Sequence, residues 1–203
     1  MLGFRVIFWE PCGVHGRTQW VSRGSRRFRG PAPAGHRFAE HPRARTIAGF
    51  GPRAAAGPFE GIGNVRKTNA IYERLAEELP PEEPVDLAAS YEAANGKTVR
   101  WVTPESGTSS SAMFDSAYVD LHKTFDVMSG VVACAMTRIH APEQRKALIN
   151  FGADYWARIM LNGTTVFRPQ NRPPAAPKKG EVQIPVTLEK GENILFIKNH
   201  AGS

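Results

Sequence analysis

One short segment of the chain carries side chains that together could bind a ligand. Asp154, Tyr155, Trp156 and Arg158 lie within five consecutive residues, and Asn171 follows in a Pro-rich stretch that could overhang them. An aromatic ring can bind the C–H face of a sugar, while charged and amide groups bind its hydroxyls, as in most ligand clefts. The segment is therefore our candidate binding site for carbohydrate.

The exposure of Trp156 decides this interpretation. Because successive side chains of a strand point to opposite faces, Tyr155 and Ala157 share one face, and Trp156 and Arg158 share the other. If Arg158 faces solvent, Trp156 does so too, and its ring is a binding platform. In the alternative, which we favour, Trp156 stacks on Arg158 or packs beneath the Pro-rich loop of residues 168–177 and binds nothing.

Other residue types that could do chemistry lack the necessary arrangement. The four glutamates within residues 77–83 could serve acid–base chemistry or a cation, but a solvated helix end explains them more simply. His122, His140 and His200 are isolated in the sequence, so we expect surface or loop positions and no metal site. With no catalytic triad order, phosphate-binding loop or cofactor motif, we expect no cofactor and no enzyme activity of the domain by itself.

The net charge of +7 comes entirely from the first 60 residues. These contain ten Arg, no Lys and three Glu, whereas residues 61–203 balance at 16 basic and 16 acidic residues. Residues 1–45 show no sustained period of 2 or 3.6, so we predict a disordered basic leader, whose ordering would cost roughly 1–2 kcal/mol per residue. One hypothesis is that this arm binds nucleic acid or another polyanion. The alternative, which we favour, is a leader without function or a wrongly assigned start.

The chain contains no run of 18 apolar residues, so we expect no membrane span and no membrane partner. Its start has an apolar run of only four residues after Arg5, which makes a poor secretory signal. Cys134 lies within an apolar run and is expected to be a buried small residue. These features leave the compartment of the protein open.

Periodicity predicts one helix followed by many short strands. Ile71, Leu75 and Leu79 share one face of a helix over residues 69–79, which Pro80-Pro81 ends. Asn162-Gly163 between apolar runs predicts a type I′ hairpin, and residues 190–193 mark a second tight turn. Strands with turns roughly every 8–12 residues favour an antiparallel sandwich or jelly roll.

A series of motifs then resembles a known family. They are Gly57-Pro58-Phe59, Tyr118-Val119-Asp120-Leu121, Phe151-Gly152-Ala153-Asp154, Met160-Leu161-Asn162-Gly163 and the stretch of residues 186–193. In this order and spacing they resemble the galactose-binding-like β-jelly-roll domains attached to bacterial glycoside hydrolases and other large secreted or envelope proteins. The resemblance covers about residues 57–203.

The resemblance implies an all-β jelly-roll sandwich over residues 46–203, with one short helix in an early loop. It also implies a bacterial, non-catalytic carbohydrate-binding or accessory module beside a neighbouring catalytic domain. Because the chain stops at Ser203, where related domains commonly add a closing segment, we expect a fragment of a larger hydrolase-like protein. A purely structural sandwich that binds no ligand is the alternative.

Overall fold

The computed structural model describes residues 3–9, 54–63, 68–82, 85–93, 96–104, 118–126, 130–153, 156–168 and 182–200. In chain order the elements are β1 Gly3–Trp9, β2 Ala54–Glu60, α1 Thr68–Ala76, β3 Ser90–Glu92, β4 Thr98–Arg100, β5 Tyr118–Asp120, α2 Leu121–Phe125, β6 Val131–Ala141, β7 Arg145–Ala153, β8 Trp156–Leu161, β9 Thr164–Phe167, β10 Val182–Leu188 and β11 Gly191–His200.

The strands form two larger antiparallel sheets and a small hairpin. One sheet has the strand order β10-β7-β1-β5, the other has the order β2-β6-β11-β8-β9, and β3 pairs with β4. Consecutive strands lie in different large sheets at β1–β2, β5–β6, β6–β7, β7–β8, β9–β10 and β10–β11. The prediction of an all-β, sandwich-like antiparallel protein is confirmed.

The first core lies between the two large sheets. Ile149 and Phe151 of β7 join Ile184 of β10 on one side, and they form one buried cluster with Ile159 of β8 and Leu195 of β11 on the other. Each of these side chains is at most 5% exposed. The two-residue alternation of the strands thus brings apolar side chains from both sheets together, and their burial supplies the main favourable term in folding.

A second core covers the opposite face of the five-stranded sheet, where α1 and the β3–β4 hairpin pack. Its buried members are Ala54, Ala56, Phe59, Ile71, Leu75, Leu79, Val132, Cys134, Met136, Trp156, Met160 and Phe196. Trp101, which follows β4, meets the ring of Phe196 edge-on with 6.1 Å between ring centroids. The five-stranded sheet is therefore buried on both faces, and the helix is a layer of the fold rather than an excursion in a loop.

Helix α1 has the apolar face that the sequence predicts. Ile71, Leu75 and Leu79 are 0%, 2% and 4% exposed. The helix ends at Ala76, about one turn earlier than predicted, and Leu79 reaches the second core from the segment that follows. Since Pro80 and Pro81 disfavour helix at the residues before them, the early end has a simple local cause.

The two predicted turns are both present, and they hold each other. Asn162 and Gly163 have φ values of 49° and 76°, as a type I′ hairpin between β8 and β9 requires. Nδ2 of Asn162 donates to Oδ1 of the buried Asn193 at 3.0 Å, and Oδ1 of Asn162 accepts from the backbone N–H of Ile194 at 2.8 Å. The second turn, at Gly191, joins strands of different sheets, so these bonds fix a corner of the fold.

The first strand corrects the predicted leader. Gly3–Trp9, which the sequence analysis placed in a disordered arm, forms β1 and pairs along its length with β7. It also pairs with β5 at residues 3–5. The run from Phe4 to Trp9 is rich in aromatic and β-branched residues, which favour strands once a partner is present. Residues 10–53 lie outside the described residues, so the leader prediction for residues 10–45 stays a prediction.

Within the described ranges, no helix combines the length and the apolar character that crossing a membrane requires.

The second core should contribute to stability as the first does. We expect Leu75→Ala to lower the free energy of unfolding by about 2–5 kcal/mol, because Leu75 is a buried side chain of α1 in the core that the helix forms with the sheet. Glu73→Ala, an exposed position of the same helix, should change it by less than about 0.5 kcal/mol. Urea unfolding of both variants checks this. A Leu75→Ala effect as small as that of the control would show that α1 is not packed on the sheet.

Candidate functional site

The structure describes two members of the predicted sugar site, Trp156 and Arg158. Trp156 and Arg158 share the outer face of β8, as the alternation predicts, but α1 and its neighbours cover that face. Trp156 is only 2% exposed, and its ring meets His200 edge-on with 5.9 Å between ring centroids. Its ring is therefore not an open platform. The remaining members, Asp154, Tyr155 and Asn171, lie outside the described residues.

His200 is also buried, contrary to the expected surface or loop position. Its side chain is 0% exposed, and Nε2 accepts a hydrogen bond from the backbone N–H of Ile62 at 2.8 Å. The correction follows from the second core, since the outer side of β11 is covered by the segment that follows β2. His140 is exposed, as expected, and the side chain of His122 lies outside the described residues.

Arg158 joins the sheet to the end of the helix. Its Nε and Nη2 donate to Oγ1 of Thr165 on β9 at 2.9 and 2.7 Å. Its Nη1 donates to the backbone carbonyls of Leu75 and Ala76 at 3.2 and 3.0 Å. The last carbonyls of a helix lack intrahelical partners and carry partial negative charge, so a guanidinium is a favourable cap for them.

Lys198 makes a second tie beside the first. It lies directly opposite Arg158 in the register of β11 and β8, and its side chain is 0% exposed. Its Nζ donates to the backbone carbonyl of Glu77 and to Oε1 of Glu82, each at 2.5 Å. The same Oε1 accepts from the backbone N–H of Leu79 at 2.7 Å. This buried ion pair fixes the chain that follows α1 against the sheet.

Burial dominates the titration of the groups around this pair. It lowers the pKa of Lys198 from its ordinary value of 10.5, although the bond and the attraction to Glu82 oppose the shift. Burial raises the pKa of the Cys134 thiol, and the charge of Glu82 adds to that shift. Cys134 is therefore held as a neutral thiol, which agrees with the predicted buried structural role and not with a nucleophile.

A cleft of about 590 Å³ opens where α1 ends and the β8–β9 hairpin begins. It is lined by Ala76, Glu78, Glu82, Val85, Arg158, Met160, Asn162, Gly163, Ile194 and Phe196. The apolar side chains of the sheet face and the polar groups of its rim give it the mixed character of a small-molecule site, and its volume lies within the usual range of about 300–1,000 Å³. Of the predicted site, it contains Arg158.

Sequence reasoning missed the role of Glu82. The acidic cluster was interpreted as a solvated helix end, which suits the exposed Glu78 but not Glu82, which is 8% exposed. A signal was present in the sequence, because Lys198 continues the apolar run of Phe196 and Ile197. A lysine within such a strand is buried only if a partner compensates its charge.

Among the side chains that the structure describes, no group of three or more His, Cys, Asp or Glu residues is placed to hold a metal ion.

No protein-family model, no curated protein and no solved structure matches this chain.

The Lys198–Glu82 pair should show strong energetic coupling. Lys198→Met leaves the carboxylate of Glu82 buried without its cation, so we expect the free energy of unfolding to fall by about 3–5 kcal/mol. The double variant Lys198→Met/Glu82→Leu should recover most of this loss, since an apolar pair removes both buried charges. Urea unfolding of the two single variants and the double variant measures the coupling. Strictly additive effects would show that the two residues do not interact.

The lowered pKa of Lys198 predicts a pH dependence of stability. Between the folded-state pKa and the ordinary 10.5, the unfolded chain binds more protons at this site than the folded chain does. In that window the contribution of Lys198 to the free energy of unfolding therefore increases with pH. As the pH is raised towards 10.5, unfolding measurements should show the wild type becoming more stable relative to Lys198→Met/Glu82→Leu, which lacks both groups. A constant or falling difference would contradict the assigned direction.

Proposed function

We propose that this chain is a non-catalytic accessory module of galactose-binding-like jelly-roll type that binds carbohydrate next to a catalytic domain of a larger, hydrolase-like protein. The order of the sequence motifs supports the jelly-roll assignment, as does the repeated passage of the chain between the two antiparallel sheets. The observation that carries the binding function is the cleft at the end of α1.

The cleft offers the two kinds of surface that a sugar ring needs. Val85 and Ile194 are partly buried members of the lining and supply apolar surface for the C–H side of a ring. Glu78 provides carboxylate oxygens that accept hydrogen bonds from hydroxyls. Arg158 has five N–H groups, and its bonds to Thr165 and to the helix carbonyls occupy four, so one can donate to a ligand hydroxyl.

The rim of the cleft is held before any ligand arrives. Arg158 is fixed by its bonds to Thr165 and to the end of α1, and the Asn162-Gly163 turn is fixed by Asn193. Groups that are already ordered lose little side-chain entropy on binding, which favours affinity for a small ligand.

A purely structural sandwich is the second candidate. The burial of Trp156 removes the aromatic platform on which the sequence-based hypothesis relied. The bonds of Arg158 are also sufficient to explain its presence as a tie between β8, β9 and α1. In this interpretation the cleft is a gap between packed elements, and the module supports a neighbouring domain without binding a ligand.

Binding of the full chain to immobilised glycans separates the two candidates. We expect retention on a glycan array and in affinity gel electrophoresis, with Glu78→Ala weakening binding about tenfold, because a hydrogen bond to a charged group contributes about 1.5–3 kcal/mol. Glu73→Ala, on the same helix but outside the cleft, is the matched control and should bind as the wild type does.

The same experiment can reject the proposal. Absence of retention on every glycan, with wild-type unfolding behaviour, would leave the structural role. If Glu78→Ala and Glu73→Ala change retention equally, the sugar site lies outside this cleft. Trp156→Phe reports on the core, so a loss of stability without a specific loss of binding is expected for it.

A further inference from the structure

We propose that Glu78 selects the ligand of this cleft by charge, so that the site accepts neutral or amino-substituted sugars and excludes sugars carrying carboxylate or sulfate. The inference rests on the proposed carbohydrate function and goes beyond it by naming the ligand class and the residue that sets it. It is carried by the charges at the cleft and by how each one is compensated.

The positive charge of Arg158 is already engaged by the protein. Its Nη1 donates to the carbonyls of Leu75 and Ala76 at 3.2 and 3.0 Å, where the partial negative charge of a helix C-terminus accumulates. Thr165 and these carbonyls leave one N–H of the guanidinium for a ligand, so an anionic ligand could not form a bidentate pair with Arg158. Arg158 is therefore a hydrogen-bond donor to the cleft rather than an attractive centre for anions.

The negative charge of Glu82 is compensated as well. Its Oε1 accepts from Nζ of Lys198 and from the backbone N–H of Leu79. Lys198 is 0% exposed, and its ammonium bonds Glu82 and the carbonyl of Glu77, so a ligand in the cleft cannot contact it. The pair as a whole adds no net charge to the cleft.

Glu78 is different from both. It lies in the cleft lining, it is exposed, and it makes no hydrogen bond or ion pair with any described residue. Among the described lining residues, Glu78 is thus the charged group without a partner, and its carboxylate repels carboxylates and sulfates and attracts hydroxyl or ammonium donors.

The whole chain has the opposite sign, and this sharpens the test. Its net charge is +7, so non-specific attraction would favour acidic glycans. A preference for neutral or amino sugars must therefore arise locally, at the cleft. Measurement at two salt concentrations separates the long-range attraction, which salt screens, from the contact with Glu78.

The experiment is titration calorimetry of the full chain with three probes: a galacto-oligosaccharide, a chitosan oligosaccharide and an oligogalacturonate. We expect the first two to bind at least tenfold more tightly than the third. Glu78→Lys should weaken chitosan binding and strengthen oligogalacturonate binding by about tenfold each, whereas Glu78→Gln should affect chitosan more than the galacto-oligosaccharide. Glu73→Lys makes the same change in net charge outside the cleft and should leave the preference as it is.

Two other outcomes would contradict the proposal, and they differ in what they leave standing. Equal or tighter binding of oligogalacturonate by the wild type, or an equal effect of Glu78→Lys and Glu73→Lys, would overturn charge selection by Glu78 while carbohydrate binding itself survives. Absence of binding of all three probes to the wild type and to Glu78→Lys, with no retention on any other glycan, would reject the carbohydrate function and this inference with it.

Discussion

The structure depends on two cations that meet the end of one helix. Arg158 and Lys198 lie opposite each other on β8 and β11, a placement that would be unfavourable for like charges without compensation. The compensation comes from the last carbonyls of α1 and from the buried carboxylate of Glu82. The two cations thus donate hydrogen bonds to the carbonyls at the end of the helix. In turn, these carbonyls and Glu82 compensate the charges of the two cations within the second core.

This mutual requirement explains how polar groups can lie within the second core. The outer face of the five-stranded sheet is mainly apolar, and α1 adds Ile71 and Leu75 to it. Without the helix end, the ammonium of Lys198 would be buried among these side chains at a high desolvation cost. The apolar contacts supply most of the attraction, and the bonds of Arg158 and Lys198 hold the end of the helix at one place on the sheet. The cleft lies at that point.

The features of the fold that depend on neighbouring residues could be predicted from the sequence, whereas contacts between residues far apart in the sequence could not. The Asn162-Gly163 hairpin and the apolar face of α1 follow from a few neighbouring residues, and both predictions are confirmed. The shared face of Trp156 and Arg158 follows from alternation and is also confirmed. The bond between Lys198 and Glu82 spans 116 residues of sequence, and no local pattern names such a partner. The pairing of β1 with β7 has the same long-range character, so the strand was assigned to the leader.

The exposure of Trp156 shows where alternation stops being informative. It states which side chains share a face, but it does not state whether that face is covered. The composition of β8 holds part of the answer, because Trp156 and Met160 on one face are as apolar as Ile159 and Leu161 on the other, the pattern of a strand buried on both sides. Arg158 is then the exception that needs a partner, and the helix end supplies it. The binding role that we propose for this segment therefore lies at the edge of the covering layer, where Arg158 meets the cleft, and not on the ring of Trp156.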